Sequence, residues 1–241
     1  MESLTARPAI AIVIPARGDR APLAALLGRI RAWHDGPAEI VVVAAPPAGE
    51  TAQICAAHAC RCIEVPANRG AQLDRGARAT TAPILWFLHA DADPPEAALA
   101  TIRAAIGMGA AGGCLRFEFQ GARTWLKRVL ERLIEWRIRC GGIAYGDQGL
   151  FAARAAYLGA GGFAHEPLFE EAPLVRGLRR QGPFRMLATP IRVATRRWER
   201  DGWWRRTWHN RWLALCYACG VPPRRLAESY HRPDSTPRME P

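Results

Sequence analysis

Residues 84–95 read ILWFLHADADPP, an apolar run of strand length that ends in closely spaced acids and two prolines. A continuous apolar run of this length predicts a strand that is buried on both faces. Ligands of open α/β sheets bind outside the carboxyl ends of the strands. The run therefore places Asp91, with His89 or Asp93 beside it, at the mouth of a ligand crevice.

Carboxylates at such an edge favour a hard divalent cation that also holds phosphate oxygens. The alternative is structural, because His89 and Asp91 can simply close the strand while Asp93 begins a turn or caps the next helix. On these residues alone, both interpretations are open.

The segments around this strand alternate between apolar runs and helical patterns. Strands are predicted at 9–16, 39–45, 62–65 and 84–88, and helices at 22–33, 51–59, 71–79 and 96–106. This alternation predicts an α/β fold with a mostly parallel sheet and helices on both faces. Pro15 is expected to end the first ladder, because proline has no N–H to donate.

The second half of the chain is less regular. A strand is predicted at 112–119, and a helix at 124–139 is strongly amphipathic, with charged residues opposite one apolar stripe. The stripe consists of Leu126, Val129, Leu130, Leu133 and Ile134. A single domain is expected over 9–230, and the polar, proline-rich tail over 231–241 is predicted to be disordered.

Composition limits the class of protein. The chain has 241 residues, of which 49% are apolar, and a formal net charge of +11. This length is enough for one large α/β domain, and this apolar fraction is too high for a disordered chain. The basic charge favours anionic partners, such as nucleotide sugars, phospholipid surfaces or nucleic acid.

The cysteines and the N-terminus predict the compartment. Seven scattered cysteines and no apolar leader segment before the first strand indicate reduced thiols in a cytoplasmic protein. No run of about 20 apolar residues is present, so no transmembrane helix is expected.

Several short motifs, in order across about residues 9 to 230, resemble those of a known family. They are IVIPAR at 12–17, RGAQ at 69–72, FLHAD at 87–91, GDQG at 146–149, GGF at 161–163, PLFEE at 167–171 and RRW at 196–198. The chain resembles an inverting family 2 glycosyltransferase with a GT-A fold. More narrowly, it is similar to the arsenosugar-biosynthesis, or radical-SAM/selenodomain-associated, subgroup.

The resemblance implies a nucleotide-sugar donor, a divalent cation (Mn²⁺ or Mg²⁺) and a small-molecule or lipid acceptor. The metal motif of the family is Asp-x-Asp, and in this register His89 takes the first position and Asp91 the second. Asp91 is thus the expected principal ligand, with His89 and Asp93 assisting. A cation there offsets the negative charge of the departing nucleotide diphosphate.

The family carries a Glu-Asp pair whose second residue is the general base. Glu170 and Glu171 stand in that place, so the resemblance implies that Glu171 removes the proton of the acceptor, with Glu170 as the second choice. The alternative is a helix N-terminus, where acids interact favourably with the helix dipole.

The resemblance also implies two sets of binding residues. Those expected at the donor are Pro15, Arg17, Arg69, Gln72, Arg197 and Trp198. Those expected at the acceptor are Gly146, Asp147 and Gln148. A surface turn and a solvated basic face are the structural alternatives. The chain departs from the family at Ala44, where an Asp usually contacts the nucleotide base.

A Trp/Arg-rich helical segment spans 196–219. Trp and Arg favour the headgroup region of a membrane, so the segment predicts peripheral contact with the inner membrane face and a lipid acceptor. The alternative is a helix that packs its tryptophans on the catalytic domain.

Two other classes of protein compete with this interpretation. A nucleotidyltransferase would also combine an α/β sheet, acids and a metal, but the chain matches its basic glycine loop only partly, at 17–20. A nucleic-acid binder is disfavoured because the basic residues are spread along the chain without an RNA-binding signature. No nucleic-acid partner is expected.

Overall fold

The computed structural model describes residues 7–18 and 20–231, without the side chains of residues 197 and 228–231. The chain divides into two compact units. The first consists of Met1–His165 and Glu170–Thr195, and the second of Glu166–Phe169 and Arg196–Pro241. The tail expected over 231–241 lies outside the described residues, except for His231 at the end of the last helix.

The first unit contains a seven-stranded sheet and seven α-helices among its described residues. The strands are β1 Ile10–Ala16, β2 Glu39–Ala44, β3 Arg61–Glu64, β4 Ile84–Phe87, β5 Gly112–Phe119, β6 Phe151–Ala153 and β7 Phe184–Val193. The helices are α1 Arg20–Arg31, α2 Gly49–Ala57, α3 Arg69–Arg78, α4 Ala97–Gly107, α5 Trp125–Arg139, α6 Arg154–Gly159 and α7 Glu171–Gln181. A short 3₁₀ helix covers Gly146–Gln148.

The strand order is β3-β2-β1-β4-β6-β5-β7. Only β6 runs antiparallel to its two neighbours, β4 and β5. The mostly parallel sheet is therefore confirmed. The sequence patterns did not predict β6 or β7.

Helices cover both faces of the sheet, as predicted. Alternate residues of β1 face opposite sides, so Ile12 packs in one apolar cluster with Leu26 of α1 and Ile102 of α4. Val13 packs in the other cluster, with Leu73 of α3. Burial of a central strand on both faces explains why its sequence is an unbroken apolar run.

Pro15 does not end the first ladder, and that prediction is wrong. Pro15 pairs with Val43 of β2, and the pairing continues by one more residue. On the other side, the pairing of β1 with β4 stops at Val13. Beyond that point β1 has a strand on one side only, where a missing N–H is tolerated.

The predicted apolar stripe of α5 is only partly buried. The helix begins after Thr124, whose side chain accepts from the backbone N of Lys127 at 3.3 Å, but it buries Lys127, Leu130, Glu131 and Ile138. Val129 and Leu133, from the predicted stripe, are exposed. Leu130 of the same stripe is buried, and Ile134 packs against the apolar core. Periodicity therefore located the helix correctly but did not separate its buried residues from its exposed ones.

The second unit contains three helices among its described residues. They are α8 Arg196–Asp201, α9 Trp203–Ala218 and α10 Pro223–His231. Phe169 stacks on Tyr217 of α9, with ring centroids 4.7 Å apart. Throughout the part of the chain that the structure describes, no helix is long and apolar enough to span a membrane.

Candidate active site

The predicted metal residues follow the carboxyl end of β4. The backbone N of Leu88 still donates to Val13 O, at 3.1 Å, and the chain then leaves the sheet. His89 is half-buried and Asp91 is exposed. Both residues therefore follow the end of β4, at the edge of the sheet where the parallel strands β1 and β2 also end.

Asp93 has a different environment. Its Oδ1 accepts from Arg29 of α1 at 2.8 Å, and its backbone N–H and C=O both bond to Arg192 of β7. Arg29 also donates to Ala92 O at 2.9 Å. The carboxylate of Asp93 is thus held in an ion pair.

Glu170 and Glu171 lie where α7 begins. This is the helix N-terminus that the structural alternative expected, but neither carboxylate is a solvated surface charge. The two residues are only 1% and 3% exposed. Glu171 Oε1 accepts from the backbone N of Gly146 at 2.9 Å, and Glu170 Oε1 accepts from Arg69 Nε. The pair is therefore fixed by specific contacts from α3 and from the glycine-rich loop.

Gly146 brings the predicted base and the predicted metal residues together. A β-carbon at this position would lie 2.6 Å from His89 Nε2 and 2.8 Å from Glu171 Oε1. A side chain at this position would have to push one or both of these groups aside, so glycine lets the His89 and Glu171 side chains approach the loop closely. The three residues come from three separate segments and form one cluster.

The pKa of Glu171 is raised from its ordinary value of 4.5 to about 7. Burial is the main cause, and the neighbouring Glu170 carboxylate adds to it. The Arg69 guanidinium and the Gly146 N–H act in the opposite direction. A carboxylate that titrates near neutral pH is well matched to general-base catalysis.

Asp147 shares this electrostatic environment. Burial raises the pKa of its carboxyl group, and the negative charge of Asp91 raises it further. The positive charges of Arg137 and Arg69 counteract both effects. Asp147 therefore lies close enough to Asp91 for the two charges to interact.

Gln148, predicted at the acceptor, is buried inside the loop. Its Oε1 accepts from the backbone N of Tyr145 at 3.1 Å, which closes the 3₁₀ turn. Its Nε2 is buried and makes no hydrogen bond within the described part of the chain. Gly149 then takes a left-handed conformation with φ 56°. Gln148 thus helps to shape the loop that carries Gly146.

The predicted donor residues are divided between the two units. Gln72 is buried and donates to Val43 O at 2.9 Å and to Ala16 O at 3.3 Å, so it ties α3 to the ends of β1 and β2. Pro15 is half-buried in β1, and Arg17 is exposed just beyond it. Arg197 and Trp198 belong to α8 of the second unit, and only the latter has a described side chain.

Two polar groups near the site were missed by sequence reasoning. Glu64 ends β3 beside Ala44, and its carboxylate accepts from Ala48 N at 3.0 Å. Arg137, from the last turn of α5, lies over the Tyr145 ring at 4.6 Å. An acid that ends a strand and a basic residue just before a glycine-rich loop are the signals that could have identified them.

The residues present fit a cation that binds largely through substrate. Within the described ranges, no three His, Cys, Asp or Glu side chains form a metal-binding cluster. Mg²⁺ commonly uses only one or two protein carboxylates together with substrate phosphates and water. Asp91 is exposed at the crevice, and Asp147 lies within electrostatic range of it, so the donor set suits that mode.

Replacing Arg69 by Met is expected to destabilise the protein by about 1–3 kcal/mol, because the buried Glu170 carboxylate would lose its hydrogen-bond donor. Urea unfolding at pH 8 measures the effect. The matched control is Arg75→Met on the same helix, since Arg75 is exposed. Equal stability of the two variants would contradict a structural role for the Arg69–Glu170 pair.

Comparison with known proteins gives the family. The family model described as Glycosyl transferase family 2 matches residues 11–159. No curated protein sequence matches the chain significantly.

Solved structures share the fold. A glucosyl-3-phosphoglycerate synthase from Mycobacterium tuberculosis, in complex with Mn²⁺, UDP and phosphoglyceric acid, aligns with a TM-score of 0.61 and 19% identity over 89% of this chain and 80% of that chain. S. aureus TarS 1–349, in complex with UDP-GlcNAc, aligns with a TM-score of 0.61 and 12% identity over 77% of this chain and 58% of that chain. With more than half of its length matched by the family model, the chain belongs to glycosyl transferase family 2 and is a glycosyltransferase with a GT-A fold.

Proposed function

We propose that this glycosyltransferase moves a sugar from a nucleotide-diphosphate donor to an acceptor hydroxyl, with inversion at the anomeric carbon. The observation that carries the proposal is the buried Glu171 carboxylate, which titrates near neutral pH and is held by Gly146 beside His89. The similar structures that contain UDP or UDP-GlcNAc support a nucleotide-sugar donor.

Glu171 acts as the general base. Its carboxylate takes the proton of the acceptor hydroxyl while that oxygen forms a bond to the anomeric carbon. The bond from the anomeric carbon to the donor phosphate oxygen breaks, and its electron pair leaves with the nucleotide diphosphate. The Gly146 N–H fixes Oε1, so the carboxylate is oriented before the acceptor arrives.

Asp91 would hold a divalent cation, Mn²⁺ or Mg²⁺. When bound, such a cation offsets the negative charge on the departing diphosphate. Asp147 contributes a second negative charge near Asp91. The His89 side chain lies near the Glu171 carboxylate, and the Asp93 carboxylate is paired with Arg29. Asp91 is therefore the principal ligand in this proposal.

The binding assignments belong to the same proposal. The loop over 146–148 lies against Glu171 and borders the acceptor site. Pro15 and Arg17 lie at the end of β1, on the donor side. The roles of Arg197 and Trp198 at the diphosphate, and membership of the arsenosugar-biosynthesis subgroup, rest on the ordered motifs alone.

A lipid acceptor and peripheral membrane contact through 196–219 are also proposed. In α9, the side chains of Trp204, Trp208 and Trp212 are exposed at four-residue intervals, so they share one face of the helix. Arg205 and Arg211 are exposed on the same helix. A Trp-lined face with adjacent arginines suits the headgroup region of a membrane.

Calorimetric titration of the purified protein with UDP, GDP and dTDP tests the proposed donor class. Each nucleotide is titrated with Mn²⁺ and again with EDTA. We expect one nucleotide to bind in the presence of Mn²⁺ and to bind at least about tenfold more weakly in EDTA, because the cation joins the carboxylate to the diphosphate. No binding of any nucleotide to folded protein would contradict the proposal.

A further inference from the structure

Helix α5 buries two charged side chains and exposes several large apolar ones. Lys127 and Glu131 are only 6% and 4% exposed. Glu131 accepts from Phe119 N at 2.9 Å and from both terminal nitrogens of Arg123 at 2.9 and 3.0 Å. Lys127 Nζ donates to Gln120 O at 2.6 Å. These contacts bind α5 to the end of β5 and fix its rotation about its own axis.

An apolar stripe on the opposite side of α5 is open to solvent. Trp125 and Trp136 are 69% and 67% exposed, and Val129 and Leu133 are 42% and 39% exposed. At about 100° per residue, the two tryptophans lie about 20° apart around the helix and about 16 Å apart along it. Single exposed apolar residues are ordinary, but a contiguous stripe marks an interaction surface.

The charges beside this stripe select the partner. Arg128, Arg132 and Arg139 are exposed, whereas Glu131 is buried and Glu135 is partly buried. Every exposed charged side chain of α5 is thus an arginine. A second copy of the same face would oppose arginine with arginine, whereas anionic lipid headgroups would neutralise these charges. Tryptophan also favours the headgroup region.

We propose that this face of α5 docks on the surface of an anionic lipid bilayer. Trp125 and Trp136 enter the headgroup region, and Arg128 and Arg132 bind lipid phosphates. The helix lies parallel to the membrane plane, as interfacial helices do. This surface belongs to the catalytic unit and is independent of the 196–219 segment and of the proposed reaction.

Flotation of the full chain with vesicles tests this proposal. Vesicles contain phosphatidylcholine alone or phosphatidylcholine with phosphatidylglycerol. The α5 variants are Trp125→Ser/Trp136→Ser and Arg128→Gln/Arg132→Gln. The control is Met108→Ser, which removes a 77% exposed apolar side chain after α4.

We expect the unmodified protein to float with the anionic vesicles and not with the neutral ones. Each α5 variant should lower the ratio of bound to free protein by about tenfold or more, because it removes either interfacial aromatic contact or headgroup charge pairing. Met108→Ser should float normally. The altered side chains are exposed, so the melting temperatures of the variants should not change. The arginine variant tests the charge contribution separately from the tryptophan variant.

Three outcomes would overturn the proposal. The first is no flotation of the unmodified protein, and the second is normal flotation of both α5 variants. In the second case, loss of flotation in Trp208→Ser/Trp212→Ser would assign membrane contact to α9 instead. The third is a lipid-free dimer in sedimentation that Trp125→Ser/Trp136→Ser abolishes, which would assign the face to a second copy. The calorimetric titration with nucleotides tests the proposed donor site separately, so failure of membrane docking and failure of the proposed reaction can be distinguished.

Discussion

Replacing Glu171 by Gln is expected to lower kcat by about 10²–10⁴-fold, the range in which general-base catalysis usually contributes. Gln keeps an oxygen that can accept from Gly146 N, so the loop should stay in place and the KM for the donor should change little. Steady-state kinetics with a saturating donor measures the effect. The control is Glu50→Gln, because that carboxylate is exposed and pairs with Arg20 at the surface. Unchanged kcat in Glu171→Gln would remove Glu171 as the base.

The same substitution should have the opposite effect on stability. Between pH 4.5 and about 7, the Glu171 carboxyl group keeps its proton in the folded protein but loses it in the unfolded chain, because its pKa is raised on folding. The stability that Glu171 contributes is complete below pH 4.5 and is lost as the pH rises through about 7. Glu171→Gln carries no buried charge, so at pH 8 it should be more stable than the unmodified protein by about 1–3 kcal/mol.

Urea unfolding at pH 4.5 and pH 8 measures this difference. The advantage of Glu171→Gln should be small at the lower pH and clear at the higher one. The pH profile of kcat/KM in the unmodified protein should rise through about 7 as Glu171 ionises in the free enzyme. An equal stability difference at both pH values would contradict the raised pKa.

Asp91→Asn is expected to lower kcat/KM by about 100-fold or more, because a bound cation contributes several kcal/mol of charge stabilisation. Asp91 is exposed, so its replacement should leave the melting temperature unchanged. The variant should also lose the difference between Mn²⁺ and EDTA, since the amide is a much weaker ligand than the carboxylate. Turnover at a range of Mn²⁺ concentrations measures both effects.

Asp93→Asn is the matched control for Asp91→Asn. It changes the neighbouring acid of the same motif, whose carboxylate is paired with Arg29. We expect it to keep its dependence on Mn²⁺ and most of its activity. Full activity of Asp91→Asn in EDTA would overturn the metal assignment, and a loss in Asp93→Asn alone would move the ligand to Asp93.

The sequence alone was sufficient for the α/β class and for the edge that carries the site. Strands buried on both faces must be continuous apolar runs, and helices between them must show a 3.6-residue period. Both signals are local, so β1 to β4 and the helices between them could be predicted. The acids after β4 could also be placed, because they interrupt an apolar run.

Tertiary structure decided the features that depend on contacts distant in the chain. Residues 89, 146 and 171 meet through the close approach that a glycine permits, and no local pattern encodes this approach. Nor does periodicity show which face of α5 is buried, because Lys127 and Glu131 find partners at the end of β5. A charge can be buried when a group outside its own helix pairs with it, and an apolar stripe can remain exposed, so only the assembled fold fixes both.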